Sequence, residues 1–265
     1  MTLKATFSLD SLVQFIVEHA TNDYLVSPEE SRRNLEQNIV GIYNLEISHS
    51  VDATLGSLNV GSAGCGLRLT TDGYILTAYH VVEEAYKTLQ GAVDGPDFVL
   101  IQDPKKNKYF LDPSFTAIYP EYDLALVKVY DPQVGEPIRF NLNYEGLGFL
   151  QKISALALDH KSQEVTSEEG VVYGLLKDYP TSNSDGTAVR EIIELFLTSV
   201  PIRSGNSGGI FITEDGSLAG TICSRTSLLK EGNSQNVDAG CGVDICYAID
   251  LIGQTYTSLF GKRSA

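Results

Sequence analysis

Short β-type runs, each bounded by Gly, Asp or Asn, fill the chain from about residue 40 to residue 250 and constrain its fold more than any other feature. The runs are IVGIYNLEI, CGLRLTT, GYILTAY, FVLIQ, DLALVKVY, KISALAL, EGVVYGLL, IIELFLTSV, GGIFIT, SLAGTICS and CYAID. Many short strands separated by turn signals are typical of barrels and sandwiches. The pattern therefore predicts an all-β protein.

Helical signals precede these runs. Residues 8–20 place apolar side chains at a roughly helical period behind Ser8, which predicts a short amphipathic helix. Ser27, Pro28 and Glu30 match a capping box with proline at the first helical position, so a second helix is predicted to begin there.

The charge of the chain argues against a nucleic-acid partner. The 34 acidic residues outnumber the 19 basic ones, giving a formal charge of −15, whereas phosphate-backbone binding needs clustered Lys and Arg. Such acidity keeps a surface soluble and self-repelling, and a preference for basic partners is the less favoured alternative.

The N-terminus lacks a continuous apolar signal core, and no span reaches the length of a membrane helix. The four cysteines form no CxxC pair and no zinc-finger spacing, so we expect neither a metal nor another cofactor. Together these features predict a reduced, cytoplasmic protein without a membrane partner, although export without a leader is a second interpretation.

The segment Gly205-Asn206-Ser207-Gly208-Gly209 lies between two β-type runs. Its glycines allow a sharp backbone turn and leave the Ser207 hydroxyl uncrowded. The amides of Gly205 and Ser207 can then converge on one point, as stabilisation of a tetrahedral oxyanion requires. Taken alone, the segment also fits a tight glycine turn without catalytic function.

A serine nucleophile needs a positioned base, and the chain has 4 histidines. His80 closes the apolar run from Gly73 and is predicted to sit on a short turn at the end of a buried strand. Asp123 begins another apolar strand, where a carboxylate is costly unless partnered. An aspartate at a strand edge facing water is the alternative for this segment by itself.

The motifs LTAYH, DLALVKV and GNSGG, in this order, resemble the trypsin-like serine proteases, and the bacterial HtrA (Deg) group more than the digestive enzymes. The resemblance covers roughly residues 38–255. It implies a serine endopeptidase acting on proteins or peptides, with Ser207 as nucleophile, His80 as general base and Asp123 orienting His80. It also implies an oxyanion hole at Gly205 and Ser207, assisted by Asn206.

The same resemblance implies two packed six-stranded β-barrels with the triad at their junction. We expect a helical extension, a first barrel, a second barrel and a terminal helix, at about residues 1–37, 38–135, 136–250 and 249–260. No appended peptide-binding (PDZ) domain is expected in this chain.

The sequence departs from the digestive enzymes at several positions. Asn206 replaces the aspartate that pairs with a newly cut N-terminus, so control by clipping is not expected. Ordering of the loops at 180–188 and 227–240 is expected instead. Val81 occupies the position of the cysteine that would pair with Cys65, and we expect all four cysteines to be reduced and in or near the core.

The resemblance also locates a substrate pocket. Pro201 stands where an acidic residue would select Lys or Arg, and Ile245 is expected to narrow an apolar wall. We therefore expect small or medium aliphatic side chains before the cut. Arg225 either favours an acidic group nearby or points into solvent. The predicted substrate-binding residues are Pro201, Ile202, Cys223, Ser224, Arg225 and Ile245.

Two other functions compete with an active peptidase. One is a catalytically silent or latent scaffold that binds peptides by strand addition. The other is a chaperone-like oligomer whose N-terminal helices contact other subunits or regulatory partners, although these helices could equally cap a barrel.

Overall fold

The computed structural model describes residues 26–48, 57–89, 98–129, 138–143, 145–182, 189–229 and 236–249. Its strands are β1 (Ile39–Ser48), β2 (Ser57–Arg68), β3 (Tyr74–Ala78), β4 (Phe98–Gln102), β5 (Lys108–Tyr119), β6 (Leu124–Val129), β7 (Lys152–Asp159), β8 (Glu164–Ser182), β9 (Val189–Thr198), β10 (Ile210–Thr213), β11 (Leu218–Leu229) and β12 (Asn236–Asp244). Its α-helices are α1 (Pro28–Asn38) and α2 (Tyr79–Leu89), and Pro120–Tyr122 form a 3₁₀ turn.

The strands close into two antiparallel barrels. The first has the order β1-β2-β3-β6-β5-β4, and the second has the order β10-β11-β12-β9-β8-β7. A closed barrel leaves no free sheet edge, so all the ladder hydrogen bonds of these short strands are satisfied within each sheet. The predicted all-β class with two six-stranded barrels is confirmed.

Two apolar strands bring the first half of the candidate site to one end of the first barrel. Every residue of β3 and β6 is buried, which explains why both read as nearly unbroken hydrophobic runs. They pair antiparallel, with Ala78 opposite Leu124. The residue that follows β3 and the residue that precedes β6 therefore lie side by side.

Helix α1 begins where the capping box predicts, with Ser27 as N-cap and its hydroxyl accepting the Glu30 N–H at 3.2 Å. The helix joins the two barrels. Ser31 donates to the Gly216 carbonyl of the second barrel at 2.6 Å, and Arg68 of β2 donates to the Asn38 side chain at 2.8 Å. Within the described residues, α1 therefore acts as a strap across the barrels.

The structure corrects several sequence predictions. The run CYAID was predicted as a strand, but residues 245–249 are helical, because β12 ends at Asp244 and the chain turns away. Strands β5 and β12 were missed, since polar residues interrupt both, and α2 was predicted only as a turn. The predicted helix at 8–20, and all but the first residue of the one at 249–260, lie outside the described residues.

Among the described residues, no helix is both long and apolar enough to cross a membrane. Cys65, Cys223 and Cys241 are buried and Cys246 is half-buried, and the structure joins none of these four described cysteines in a disulfide.

Candidate active site

His80 and Asp123 meet at the end of the first barrel. The His80 Nδ1 lies 2.7 Å from Asp123 Oδ2. The Asp123 side chain is 2% exposed and the His80 side chain is 36% exposed. The carboxylate is thus shielded from water, while part of the imidazole remains accessible to a substrate.

Asp123 also serves as a long-range cap for helix α2. Its other carboxylate oxygen accepts the His80 backbone N–H at 3.0 Å, and its carbonyl accepts the Tyr79 N–H at 2.9 Å. The first N–H groups of a helix have no intrahelical partner and favour a negative charge nearby. The same carboxylate therefore fixes both the backbone and the ring of His80.

The geometry assigns the tautomer of His80. An ionised carboxylate only accepts hydrogen bonds, so the proton of the pair is carried on Nδ1. The Nε2 atom then has a lone pair that can accept a proton. Asp123 itself adopts a left-handed backbone conformation with φ of 51°, which Asp tolerates better than most residues.

Ser207 follows a glycine turn of the second barrel. Gly205 and Gly208 have φ of 92° and 81°, values that glycine adopts without strain. The Ser207 hydroxyl donates to the Cys223 carbonyl of β11 at 3.0 Å. In this arrangement the Ser207 hydroxyl donates its proton to a backbone carbonyl and not to a side chain.

The backbone amides of Gly205 and Ser207 remain available. Neither N–H donates to a protein acceptor within the part of the chain that the structure describes. The Asn206 N–H, in contrast, closes a turn onto the Arg203 carbonyl at 3.0 Å. A turn with positive φ at its third residue is of type II, which requires glycine at that place, here Gly205.

Asn206, which was predicted to assist the hole, also braces the turn with its side chain. Its Oδ1 accepts the Arg203 N–H at 2.7 Å, beside the backbone bond in the opposite direction. Asn206 thus makes two hydrogen bonds to Arg203, and these hold the turn that carries Gly205.

Cys65 of β2 attaches the nucleophile loop to the first barrel. Its N–H donates to the Ser207 carbonyl at 2.7 Å, and its thiol lies 3.2 Å from the Gly205 carbonyl. The Leu158 N–H donates to the thiol sulfur at 3.3 Å. Burial raises the pKa of this thiol to about 12, so it stays protonated as a donor.

Comparison with known proteins identifies the fold and the family. The family model of the trypsin-like peptidase domain matches residues 64–220, more than half of the chain. The chain therefore belongs to this family.

A curated relative and a solved structure are similar to the chain. The serine endoprotease DegS of Haemophilus influenzae is 21% identical over 248 residues, which are 92% of this chain and 66% of DegS. The crystal structure of the serine endoprotease from Yersinia pestis superposes with a TM-score of 0.55 at 15% identity, covering 88% of this chain and 67% of that one. This structural likeness supports the barrel fold. The peptidase spans about two thirds of the length of both proteins.

The predicted pocket residues lie on three segments of the second barrel. Pro201 is exposed and Ile202 is buried on the segment before the nucleophile, and Cys223 and Ser224 belong to β11. The backbone of Arg225 pairs with Gly240 of β12. The Arg225 side chain lies outside the part of the chain that the structure describes. Ile245, 3% exposed, follows β12 in the helical turn.

Sequence reasoning missed Gly240 and His160. A Cβ added to Gly240 would lie 2.7 Å from Ile202 Cγ1, so Ile202 fills the space that this glycine leaves. His160 Nε2 lies 3.1 Å from the Gly205 carbonyl oxygen. His160 sits in a polar turn without a motif, and its contact with a residue 45 positions away leaves no local signal.

Proposed function

We propose that this trypsin-like peptidase is a serine endopeptidase in which Ser207 is the nucleophile, His80 the general base and Asp123 the residue that orients His80. The observation that carries the proposal is the 2.7 Å contact between His80 Nδ1 and the shielded carboxylate of Asp123. A carboxylate in this position selects the tautomer whose Nε2 can accept a proton. These roles are transferred from the general triad mechanism.

The first step is acylation. The Ser207 hydroxyl leaves the Cys223 carbonyl by rotating about its side-chain bond and donates to His80 Nε2. The oxygen then attacks the carbonyl carbon of the scissile peptide bond while its proton passes to His80. The imidazolium formed in this way is stabilised by Asp123. The carbonyl electron pair moves to oxygen and gives a tetrahedral oxyanion.

The amides of Gly205 and Ser207 are proposed to donate to this oxyanion. Collapse of the intermediate breaks the C–N bond, and His80 returns the proton to the leaving amine. Water then repeats the sequence: His80 takes its proton as the hydroxide adds to the acyl carbon, the tetrahedral intermediate collapses with cleavage of the ester C–O bond to Ser207, and His80 returns the proton to the Ser207 oxygen. Peptide and water supply all the atoms of the products.

Proteins or peptides with a small or medium aliphatic side chain before the cut are the proposed substrates. Ile202 and Ile245 are buried and apolar, and Pro201 carries no charge at the position where an acid would select Lys or Arg. A digest of a peptide library tests this preference. Cuts confined to Lys and Arg would contradict it.

The experiment that tests the nucleophile uses a fluorophosphonate probe. The wild-type chain is expected to be labelled and Ser207→Ala to remain unlabelled. Ser204→Ala is the matched control, because Ser204 is an exposed serine on the same loop, and it should be labelled like the wild type. Labelling of Ser207→Ala at the wild-type level would refute Ser207 as the nucleophile.

A latent or silent scaffold is the second candidate, and one observation favours it. The Ser207 hydroxyl donates to the Cys223 carbonyl, so its proton is not shared with an acceptor on His80 in this state. An absence of labelling in the wild type, beside a labelled control protease, would support this candidate.

A further inference from the structure

The turn after β7 places one histidine against the loop of the proposed oxyanion hole. His160 Nε2 lies 3.1 Å from the Gly205 carbonyl oxygen. The ring also touches the glycine itself, since a Cβ at Gly205 would be 2.8 Å from His160 Cδ2. His160 thus holds Gly205 by a hydrogen bond and by direct packing.

The chemistry of the two groups determines which of them donates in the hydrogen bond between His160 and Gly205. A carbonyl oxygen only accepts, so His160 must carry its proton on Nε2. The Nδ1 atom is buried and has no hydrogen-bond partner among the described residues. Among the described residues, the hydrogen bond from Nε2 to the Gly205 carbonyl is therefore the one that the His160 ring makes.

The turn that carries His160 is braced by the first barrel. Gln163 donates to the His160 carbonyl at 2.6 Å and to the Tyr43 hydroxyl at 2.9 Å. Gln102 of β4 donates to the Gln163 side chain at 2.6 Å. The Tyr43 ring meets the His160 ring edge to face, with centroids 5.0 Å apart. The imidazole therefore rests on a rigid platform.

Besides His160, two hydrogen bonds between Asn206 and Arg203 hold the turn that carries Gly205. A cavity of about 300 Å³, lined in part by His160, Arg203 and Ser204, lies beside the loop. The packing of the turn on this side is therefore incomplete. The second donor to the Gly205 carbonyl is the buried thiol of Cys65 at 3.2 Å, and a thiol is a weak donor.

We propose that His160 is a positioning residue for catalysis, which holds Gly205 so that its N–H faces the oxyanion of the proposed reaction. The inference rests on the proposed function of Ser207 and deepens it. A hole donor acts only when it lies within hydrogen-bond distance of the oxyanion. Removing the His160 contact should therefore lower kcat and leave KM nearly unchanged.

The kinetic experiment compares two substitutions of the same residue. His160→Leu keeps an apolar side chain without a donor, whereas His160→Gln offers an amide N–H at a reach similar to that of Nε2. We expect His160→Leu to lower kcat on a peptide substrate about 100-fold, the size of a roughly 1 Å misplacement. We expect His160→Gln to stay within about fivefold of the wild type. Equal kcat values for the wild type and His160→Leu would overturn the proposal, as would equal losses in both variants.

A second measurement does not depend on activity. The chain contains two Ser-Gly dipeptides, 204–205 and 207–208. In Ser207→Ala, labelling serine carbonyls with ¹³C and glycine amides with ¹⁵N leaves one correlated amide signal in an HNCO spectrum, that of Gly205. Adding His160→Leu should shift, broaden or split this signal, and adding His160→Gln should preserve it. An unchanged signal in the His160→Leu background would overturn the positioning role.

The two experiments separate this inference from the proposed function. If the fluorophosphonate fails to label the wild type, the proposed function fails, and the Gly205 signal still decides whether His160 positions the loop. If the wild type is labelled and His160→Leu reacts at the same rate, only the inference about His160 fails. Unfolding midpoints of all variants show whether a loss of kcat follows from unfolding instead.

Discussion

The two barrels hold their parts of the candidate site by different means. In the first, Asp123 and His80 follow paired strands, and backbone hydrogen bonds at the start of α2 fix both residues. In the second, Ser207 lies on a glycine loop whose Gly205 carbonyl contacts Cys65 and His160, which are distant in sequence. His80 and Asp123 are held by paired strands and a helix start of one barrel, whereas the loop of Ser207 is held both by Cys65 of the first barrel and by His160 of its own barrel.

The prediction with the largest expected effect concerns the pair of His80 and Asp123 in the first barrel. Asp123→Asn keeps an oxygen that can accept the His80 N–H, but its amide N–H₂ would face Nδ1 and favour the wrong tautomer. We expect kcat to fall by about 10⁴, as for the general triad, with little change in the unfolding midpoint. Peptide hydrolysis and urea unfolding measure the two quantities. A loss of less than about tenfold would contradict the role of Asp123.

Chemical modification tests the contact between the barrels. The Cys65 thiol has a pKa raised to about 12 by burial, so its thiolate fraction at pH 8 is about 10³ below that of an ordinary cysteine. We expect iodoacetamide to leave Cys65 unmodified in the folded protein and to modify it after unfolding in guanidinium.

Half-buried Cys246 is the internal control for this experiment, since the residue is partly exposed whereas Cys65 is fully buried. Peptide mass spectrometry reports both sites in one sample. Modification of Cys65 as fast as Cys246 in the folded protein would show that the contact between the barrels opens readily.

The three motifs of the proposed triad could be recognised in the sequence because each one is local. LTAYH and DLALVKV end or begin on buried strands, and GNSGG is a turn that glycine makes possible. The contacts of the nucleophile loop could not be predicted. The Gly205 carbonyl is reached by Cys65 and His160 from 140 and 45 residues away, and only the closed barrels bring these residues together.

The errors in secondary structure have a similar origin. Strand β12 begins with Asn236, Val237 and Asp238, residues that also suit a loop, and it forms because β11 and β9 pair with its two edges. The run CYAID fits a strand, yet no strand pairing continues beyond Asp244 among the described residues. In both segments, pairing with neighbouring strands and not the local sequence determines where the strand forms.

Two glycine substitutions test how tightly the loop of Ser207 packs against the first barrel. Gly208 has a positive φ, and a Cβ there would overlap the Cys65 carbonyl oxygen and the Thr77 hydroxyl. We expect Gly208→Ala to lower the free energy of unfolding by about 3 kcal/mol, from backbone strain and overpacking together.

Gly174→Ala is the matched control. Its φ is also positive, at 151°, but no atom lies within 4 Å of the position of its Cβ. We expect this variant to lose about 1 kcal/mol, the part that backbone strain alone contributes. Urea unfolding of both variants measures the difference. Equal losses would show that Gly208 is constrained by its backbone conformation and not by contact between the barrels.

The prediction with the smallest expected effect compares two carboxylates, Asp123 of the first barrel and Asp244 of the second. Asp123 accepts hydrogen bonds from its helix and from an imidazole, whereas burial raises the pKa of Asp244, a shift that the Cys246 N–H opposes and that nearby Glu194 increases. A raised pKa in the folded state stabilises the protein below the unfolded pKa and loses that contribution as pH rises. At neutral pH the charged form of Asp244 is therefore unfavourable.

We expect Asp244→Asn, which can still accept the Cys246 N–H, to raise the melting temperature by about 2 °C at pH 7. The gain should vanish near about pH 3, where the wild-type carboxyl is protonated too. A decrease at pH 7 would instead show that the charge of Asp244 stabilises the fold.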